Sequence, residues 1–243
     1  MVQTVAMVTS TEVKRVGMLA PMQHELAPIV RRLQLEGDGS VYRGRSGDLE
    51  VVAMLTTMGM AAGADAARRL LELEVDWVMV VGIAGGVDPE VVAIGDVIAP
   101  DVVIDRATGE SFIPSAGAGA GPGPRGVLSC GDELITDPPT LAGMASEGVI
   151  AVDMETAAVA AICAADGCRW SAYRCISDFA GGGLVDDALF ALTRPDGTAD
   201  TDALNRYLEE DPGRIAVLTQ LAQDMTVATE AAAEAAIRAC ADL

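Results

Sequence analysis

The sequence predicts an α/β fold, a three-layer α/β/α sandwich, and three observations carry that expectation. Short apolar runs alternate with amphipathic or alanine-rich stretches from about residue 15 to the end, the pattern of strands and helices in layers. The run "DWVMVVGIAGG" (residues 76–86) is apolar without alternation, as expected of a strand covered on both faces. No internal repeat and no linker-like stretch separates two cores, so residues 15–243 read as one domain behind a polar extension of residues 1–14.

The elements follow in order. "RVGMLA" reads as a short buried strand, followed by a helix around "HELAPIVRRLQLE". Pro28 fits that helix only in its first turn, where a missing N–H costs nothing. "SVYRGRSGDLEVVAMLTT" predicts a hairpin turning at "SGD". "AAGADAARRLLELE" predicts an alanine-rich helix with its arginines and acids in water. "GDVIAPDVVID" supplies a strand pair, and "RATGESFIPSAGAGAGPGPRG" is loop by its Gly, Ala and Pro content. "GVLSCGDELI", "GVIAV" and "RWSAYRCIS" resume the sheet around the helix "ETAAVAAICAADG". Residues 181–213 form an acidic, turn-rich insertion or lid, and a long alanine-rich helix closes the chain.

Composition excludes several partners. A formal net charge of −20 opposes nucleic acid, whose phosphates need clustered Lys and Arg, and equally opposes anionic membranes. The longest apolar run is well short of a bilayer span. Five cysteines with no CxxC pair and a single histidine give no zinc spacing, and suit reduced thiols in a cytoplasm. "GIAGG" lacks the third glycine of a dinucleotide fingerprint and the Lys-Ser/Thr of a P-loop. No metal or cofactor is expected, and a small molecule is the expected partner.

In α/β folds ligands bind beyond the carboxyl ends of strands, and four such ends carry polar or glycine signals: "GMLAPMQHE", "VVGIAGG", "AVDMET" and "CISDFAGGG". Asp178 reads either as a turn or capping residue or as a buried acid whose raised pKa lets it donate a proton. Glu25 reads as a first-turn acid favoured by the helix dipole, and the neighbouring His24 is assigned no catalytic role. Asp153 and Glu155 can cap and begin a helix. In extended geometry they also share one face, with Met154 on the other, where a carboxylate can accept bonds from two vicinal hydroxyls. The spacing permits both.

Taken in order, "GMLAPMQHEL", "TTMGMAAGADAA", "VVGIAGGV", "GDVI", "GDELI", "AVDMETAAVA" and "CISD" resemble the nucleoside phosphorylase/nucleosidase family, most of all its methylthioadenosine/S-adenosylhomocysteine nucleosidase branch. The resemblance runs from about residue 15 to 180. It implies a sandwich around a large mixed central sheet, a homodimer, and cleavage of the N-glycosidic bond of a purine-type nucleoside. By matching position, Asp178 corresponds to the acid that protonates the base, with Ser177 orienting it, and Glu25 to the base that activates water. Glu155 corresponds to the ribose-hydroxyl acceptor within "VDMET", where Asp153 stands in place of the family's first glutamate and Met154 packs against the sugar. Leu134 and Ile135 would face the base, and Phe112 falls near the aromatic placed over a partner's pocket.

Departures bear on the nucleophile and the base. The family's phosphorylases carry an arginine after the first strand and a serine in the "GxAGG" region; here the loop is "APMQHE" and the serine position is Ile83. That favours water over phosphate, although Arg43 and Arg45 on the hairpin keep phosphorolysis open. Leu134 replaces the family's adenine-stacking phenylalanine, so methylthioadenosine-like, futalosine-like and adenosylated-lipid substrates all stay open. A catalytically silent nucleoside-binding protein is the reading from another class.

Overall fold

A computed structural model describes residues 12–117, 123–182, 191–194 and 196–243. The chain opens with β1 (Arg15–Ala20), α1 (Gln23–Leu33), β2 (Glu36–Gly37), the hairpin β3 (Val41–Ser46) and β4 (Leu49–Leu55), and α2 (Met60–Leu71). Its middle holds β5 (Trp77–Gly86), β6 (Val97–Ile98), β7 (Val102–Asp105), β8 (Ser111–Phe112), β9 (Val127–Cys130), α3 (Pro138–Ser146) and β10 (Val149–Asp153). Then come α4 (Thr156–Asp166), β11 (Arg169–Phe179), α5 (Thr201–Glu210) and α6 (Arg214–Ala239). Among the described residues the strands form one mixed sheet of 11, flanked by helices on both faces.

Side-chain alternation builds the layers. Along β5, Val78 and Val80 join the core under α2 and α4, with Ala66, Leu70, Ala157 and Ala160. Trp77, Met79 and Val81 join the opposite core under α1 and α6, with Leu26, Ile29, Ala232 and Ala236. β4 divides the same way, Val52 and Met54 to one core and Val51 and Ala53 to the other. A strand apolar at every position is what a sheet buried on both sides demands. Small residues set the helix distance: a Cβ on Gly17 would stand 2.5 Å from Leu70 Cδ1. No helix among the described residues is long and apolar enough to cross a membrane.

One break in the sheet positions the site. β11 runs parallel to β5 along its whole length, Arg169↔Trp77 to Phe179↔Gly86. On the opposite edge β1 accompanies β5 only from Val16↔Trp77 to Leu19↔Val80. β10 joins that edge antiparallel at Ala151↔Gly86 and Val152↔Gly85. Residues 81–84 of β5 thus face a gap between two neighbours that diverge, the kind of crevice where α/β sheets take ligands.

Several expectations change. Val13 is 6% exposed, and the Asp76 carboxylate accepts from the Lys14 and Arg15 N–H groups, so the docked chain begins before residue 15; residues 1–11 lie outside the described residues. Pro28 is not in the first turn of α1 but six residues in, inside the helix, where its ring lines a cavity. "GDVIAPDVVID" gives two strands that do not pair: β6 joins β11 and β7 joins β9 and β8. Pro100 between them has no N–H to extend a ladder. α3 was not expected, although Asp137 caps it by accepting from Thr140 N at 2.9 Å and Pro138 begins it. The stretch read as turn-rich contains α5, capped by Asp200; residues 183–190 and 195 of it lie outside the described residues.

Candidate active site

The gap in the sheet is filled by charge. With no strand on the gap side, the Ile83 N–H donates to Glu25 Oε1 at 2.8 Å, and the Met22 N–H donates to Glu25 Oε2 at 2.7 Å. Glu25, in the first turn of α1, is 1% exposed. Gly82 makes this approach possible, since a Cβ there would stand 2.1 Å from Glu25 Oε1 and 2.8 Å from Arg174 Nη1.

Arg174, opposite Gly82 on β11, is fully buried and gathers three carboxylates. Its Nη2 lies 2.6 Å from Asp153 Oδ2 and 3.0 Å from Glu155 Oε2, while Nη1 lies 3.9 Å from Glu25 Oε1 and makes no hydrogen bond. A buried guanidinium is tolerated because it is paired, and the surrounding acids raise its pKa further. Asp153 sits at the helix start, as the capping reading has it. It accepts from the Glu155 and Thr156 N–H groups at the start of α4 and from Thr156 Oγ1, and it holds Arg174. Glu155 also accepts from the Gly59 N–H at 2.9 Å, at the N-terminus of α2, where the dipole favours a carboxylate. The next N–H of that turn, Met60, donates to Asp132 Oδ1 at 2.7 Å, tying the loop of Leu134 and Ile135 to the same helix.

Three carboxylates around one cation cannot all ionise freely. Burial pushes Glu25 up to about 8, against the nearby Arg174 charge and two N–H donors. Burial, countered by Arg174 and reinforced by Asp153, pushes Glu155 up to about 7. Burial would raise Asp153 as well, but Arg174 and its hydrogen bonds outweigh it and hold the group below the usual range. Asp178 stands at the end of β11, just past a register shift between Ile176 and Asp178, an irregularity of the kind that re-aims a side chain. Burial raises its pKa, while Ser177 Oγ, donating to Asp178 Oδ2 at 2.6 Å, opposes the rise. Asp178 sits beside Gly85 in the ladder and Glu25 hangs from Ile83, so their anchors are two positions apart, about 7 Å of strand.

These groups share one cavity of about 720 Å³, lined by Glu25, Ile83, Leu134, Ile135, Asp153, Met154, Glu155, Ser177 and Asp178. Phe112 is not among its lining residues; it lies on β8 opposite Val103, half-buried against the α2/α4 core. His24 does line the cavity. Burial lowers its pKa, and its Nε2 is buried without a partner. Arg43 and Arg45 line neither wall: Arg43 borders a separate groove, and Arg45 donates to the Gly47 and Asp48 carbonyls.

A family model described as the phosphorylase superfamily matches residues 5–125 and 122–206. The chain belongs to the phosphorylase superfamily. It is 27% identical over 201 residues to a 5′-methylthioadenosine/S-adenosylhomocysteine nucleosidase of Marinomonas sp. (strain MWYL1), covering 68% of this chain and 86% of that one. Its fold is similar to that of the Streptococcus pyogenes S-adenosylhomocysteine nucleosidase (TM-score 0.73, 18% identity, 97% of this chain and 99% of that one). It is likewise similar to the futalosine hydrolase of Helicobacter pylori (TM-score 0.71, 16% identity, 95% and 99%). The mixed sheet and flanking helices of this chain are thus a phosphorylase-superfamily sandwich.

Sequence reasoning missed Arg174, Gly82 and Gly59. The signal for Arg174 was present: an arginine inside the apolar run "WSAYRCIS" is a charge that burial must pair. Gly82→Ala tests the crowding. Both groups that its methyl would strike are fully buried, so Glu25 must move; kcat is expected to fall about 100-fold, with about 1–3 kcal/mol of overpacking in a denaturant titration. Unchanged kcat would show that Glu25 need not sit at Ile83.

Proposed function

We propose that the protein hydrolyses the N-glycosidic bond of a purine-type nucleoside. The observation that carries this reading is the convergence of Glu25, Glu155 and Asp178, from three distant segments, on one cavity at the break in the sheet. Cleavage passes through an oxocarbenium-like state and needs an acid on the leaving base and a base on water. Asp178, raised by burial and oriented by Ser177, protonates the purine. Glu25 takes the proton from water, its two oxygens fixed by the Ile83 and Met22 N–H groups. Glu155 keeps lone pairs for two ribose hydroxyls beside its bonds to Gly59 and Arg174, and Met154 supports the sugar. Leu134 and Ile135 flank the base. In a homodimer, which the family resemblance implies, Phe112 would serve a partner's pocket rather than its own.

Water is favoured over phosphate because the wall offers no free cation to hold a phosphate. Glu25, Asp153, Glu155 and Asp178 line the cavity, while its Arg31 is paired with Glu230. A phosphate dianion would meet no unpaired arginine or lysine among the described lining residues, and the hairpin Arg43 and Arg45, which do not line this cavity, would serve it only from a neighbouring subunit. The test is incubation with methylthioadenosine, S-adenosylhomocysteine, adenosine, inosine and futalosine, each with and without phosphate. Free sugar without phosphate is expected. Sugar 1-phosphate would make the enzyme a phosphorylase, and tight binding without base release would make it a nucleoside-binding protein.

The titration of Glu25 has opposite consequences for rate and stability. Its carboxylate must be ionised to accept a proton, so kcat/KM is expected to climb as pH rises toward about 8. In the unfolded chain a glutamate ionises near its ordinary 4.5. Between 4.5 and 8 the folded state therefore holds a proton that the unfolded state has lost, and raising the pH drains stability. Tm is expected to fall from pH 5 to pH 9 while kcat/KM rises to a maximum and declines where Asp178 loses the proton it donates, and the Tm of Glu25→Gln to fall less. A Tm that rose over this range would contradict the assignment.

A further inference from the structure

The cavity extends well beyond the acids. From the catalytic end it runs between α1 and α6, past Ala27 and Pro28 on one side and Leu218, Leu221 and Met225 on the other, with Leu192 and Leu204 also lining it.

The wall on α6 is built for an apolar occupant. Its side chains pack into the sheet only from Ala228 onward, so residues 214–227 stand away from the core. Over that stretch Leu218, Leu221, Ala222 and Met225 recur at i, i+3, i+4 and i+7 and line the cavity. That is an amphipathic stripe whose apolar side chains border the cavity. On the facing helix, Pro28 gives up a backbone bond inside α1 to place its ring in the same wall. The Arg31–Glu230 pair bridges the two helices.

We propose that this chamber binds a long hydrocarbon substituent on the 5′ carbon of the substrate. The inference rests on the nucleosidase reading. With the base at Asp178 and the 2′ and 3′ hydroxyls at Glu155, the 5′ carbon is the position left for the nucleoside to extend. A methylthio group would leave the stripe of α6 uncovered, whereas a chain of many carbons buries Leu218, Leu221 and Met225 along its length. The substrate class is a nucleoside joined through C5′ to a lipid-like tail.

The test is a series of 5′-alkylthio derivatives of adenosine and of inosine, methyl through dodecyl, with longer members presented in nonionic detergent micelles. Base release is followed. For the wild type kcat/KM is expected to rise with chain length, up to about fourfold per buried methylene, and by more than about 100-fold between methyl and octyl. Leu221→Asp is expected to flatten that slope, and Leu221→Ala to reduce it. Rates that are flat or falling with chain length in the wild type would overturn the chamber while leaving the nucleosidase reading intact. No base release from any member, methyl included, would overturn the nucleosidase reading itself.

Discussion

Arg174→Met is expected to abolish most activity and to remove about 3–5 kcal/mol of stability. The side chain is fully buried and holds Asp153 and Glu155 at hydrogen-bond distance with Glu25 close by. Methionine fills a similar volume, so packing is not the cause. The loss arises because three carboxylates would share a dry site without a cation, and they would respond by taking up protons. Glu25 and Glu155 are already near 8 and 7 with Arg174 present, and without it both rise. The expected signature is therefore a kcat/KM profile displaced to higher pH, with kcat lower by about 100-fold or more from misplacement of the same groups. Arg174→Lys keeps the charge but not the planar fork, and should recover stability better than rate. A Met variant with the wild-type pH profile would show that Arg174 does not tune these acids.

The second large effect is expected at Asp178. Asp178→Asn keeps size and hydrogen-bonding capacity but cannot give a proton to a purine, and removing a general acid typically costs about 10²–10⁴ in rate. The fold should be unaffected, because the side chain lines the cavity and, among the described residues, accepts from Ser177. Loss of burial-penalised charge should leave Tm equal to or above that of the wild type. Full activity in the Asn variant would place the general acid elsewhere.

The sandwich was legible because both of its periodicities were written in the chain. β5 and β4 are apolar at successive positions, and the helices are alanine-rich where they meet the sheet. The strand-end acids were legible for the same reason, since a carboxylate closing an apolar strand has few places to go. Arg174 was not assigned because its three partners come from two other segments, residue 25 and residues 153–155, and no local pattern joins them. Gly82 was legible as a glycine, but not as the vacancy that admits Glu25. The gap in the sheet is a matter of where β1 stops and β10 starts, and strand pairing is non-local. α6 hid its two halves in one composition: its alanines pack on the sheet from residue 228, whereas the leucines before them face a cavity. Phe112 illustrates the converse. Its position followed from the family resemblance, and within one chain it packs on the core.

In the proposed reaction water, activated at Glu25, attacks the anomeric carbon while Asp178 protonates the base. Single-turnover incubation of the enzyme with a purine nucleoside in ¹⁸O-enriched water, without phosphate, tests it most directly by mass spectrometry of the sugar. One ¹⁸O is expected in the sugar at the rate of base release, with both lost together in Asp178→Asn and Glu25→Gln. Base release that requires phosphate and yields unlabelled sugar 1-phosphate would contradict it.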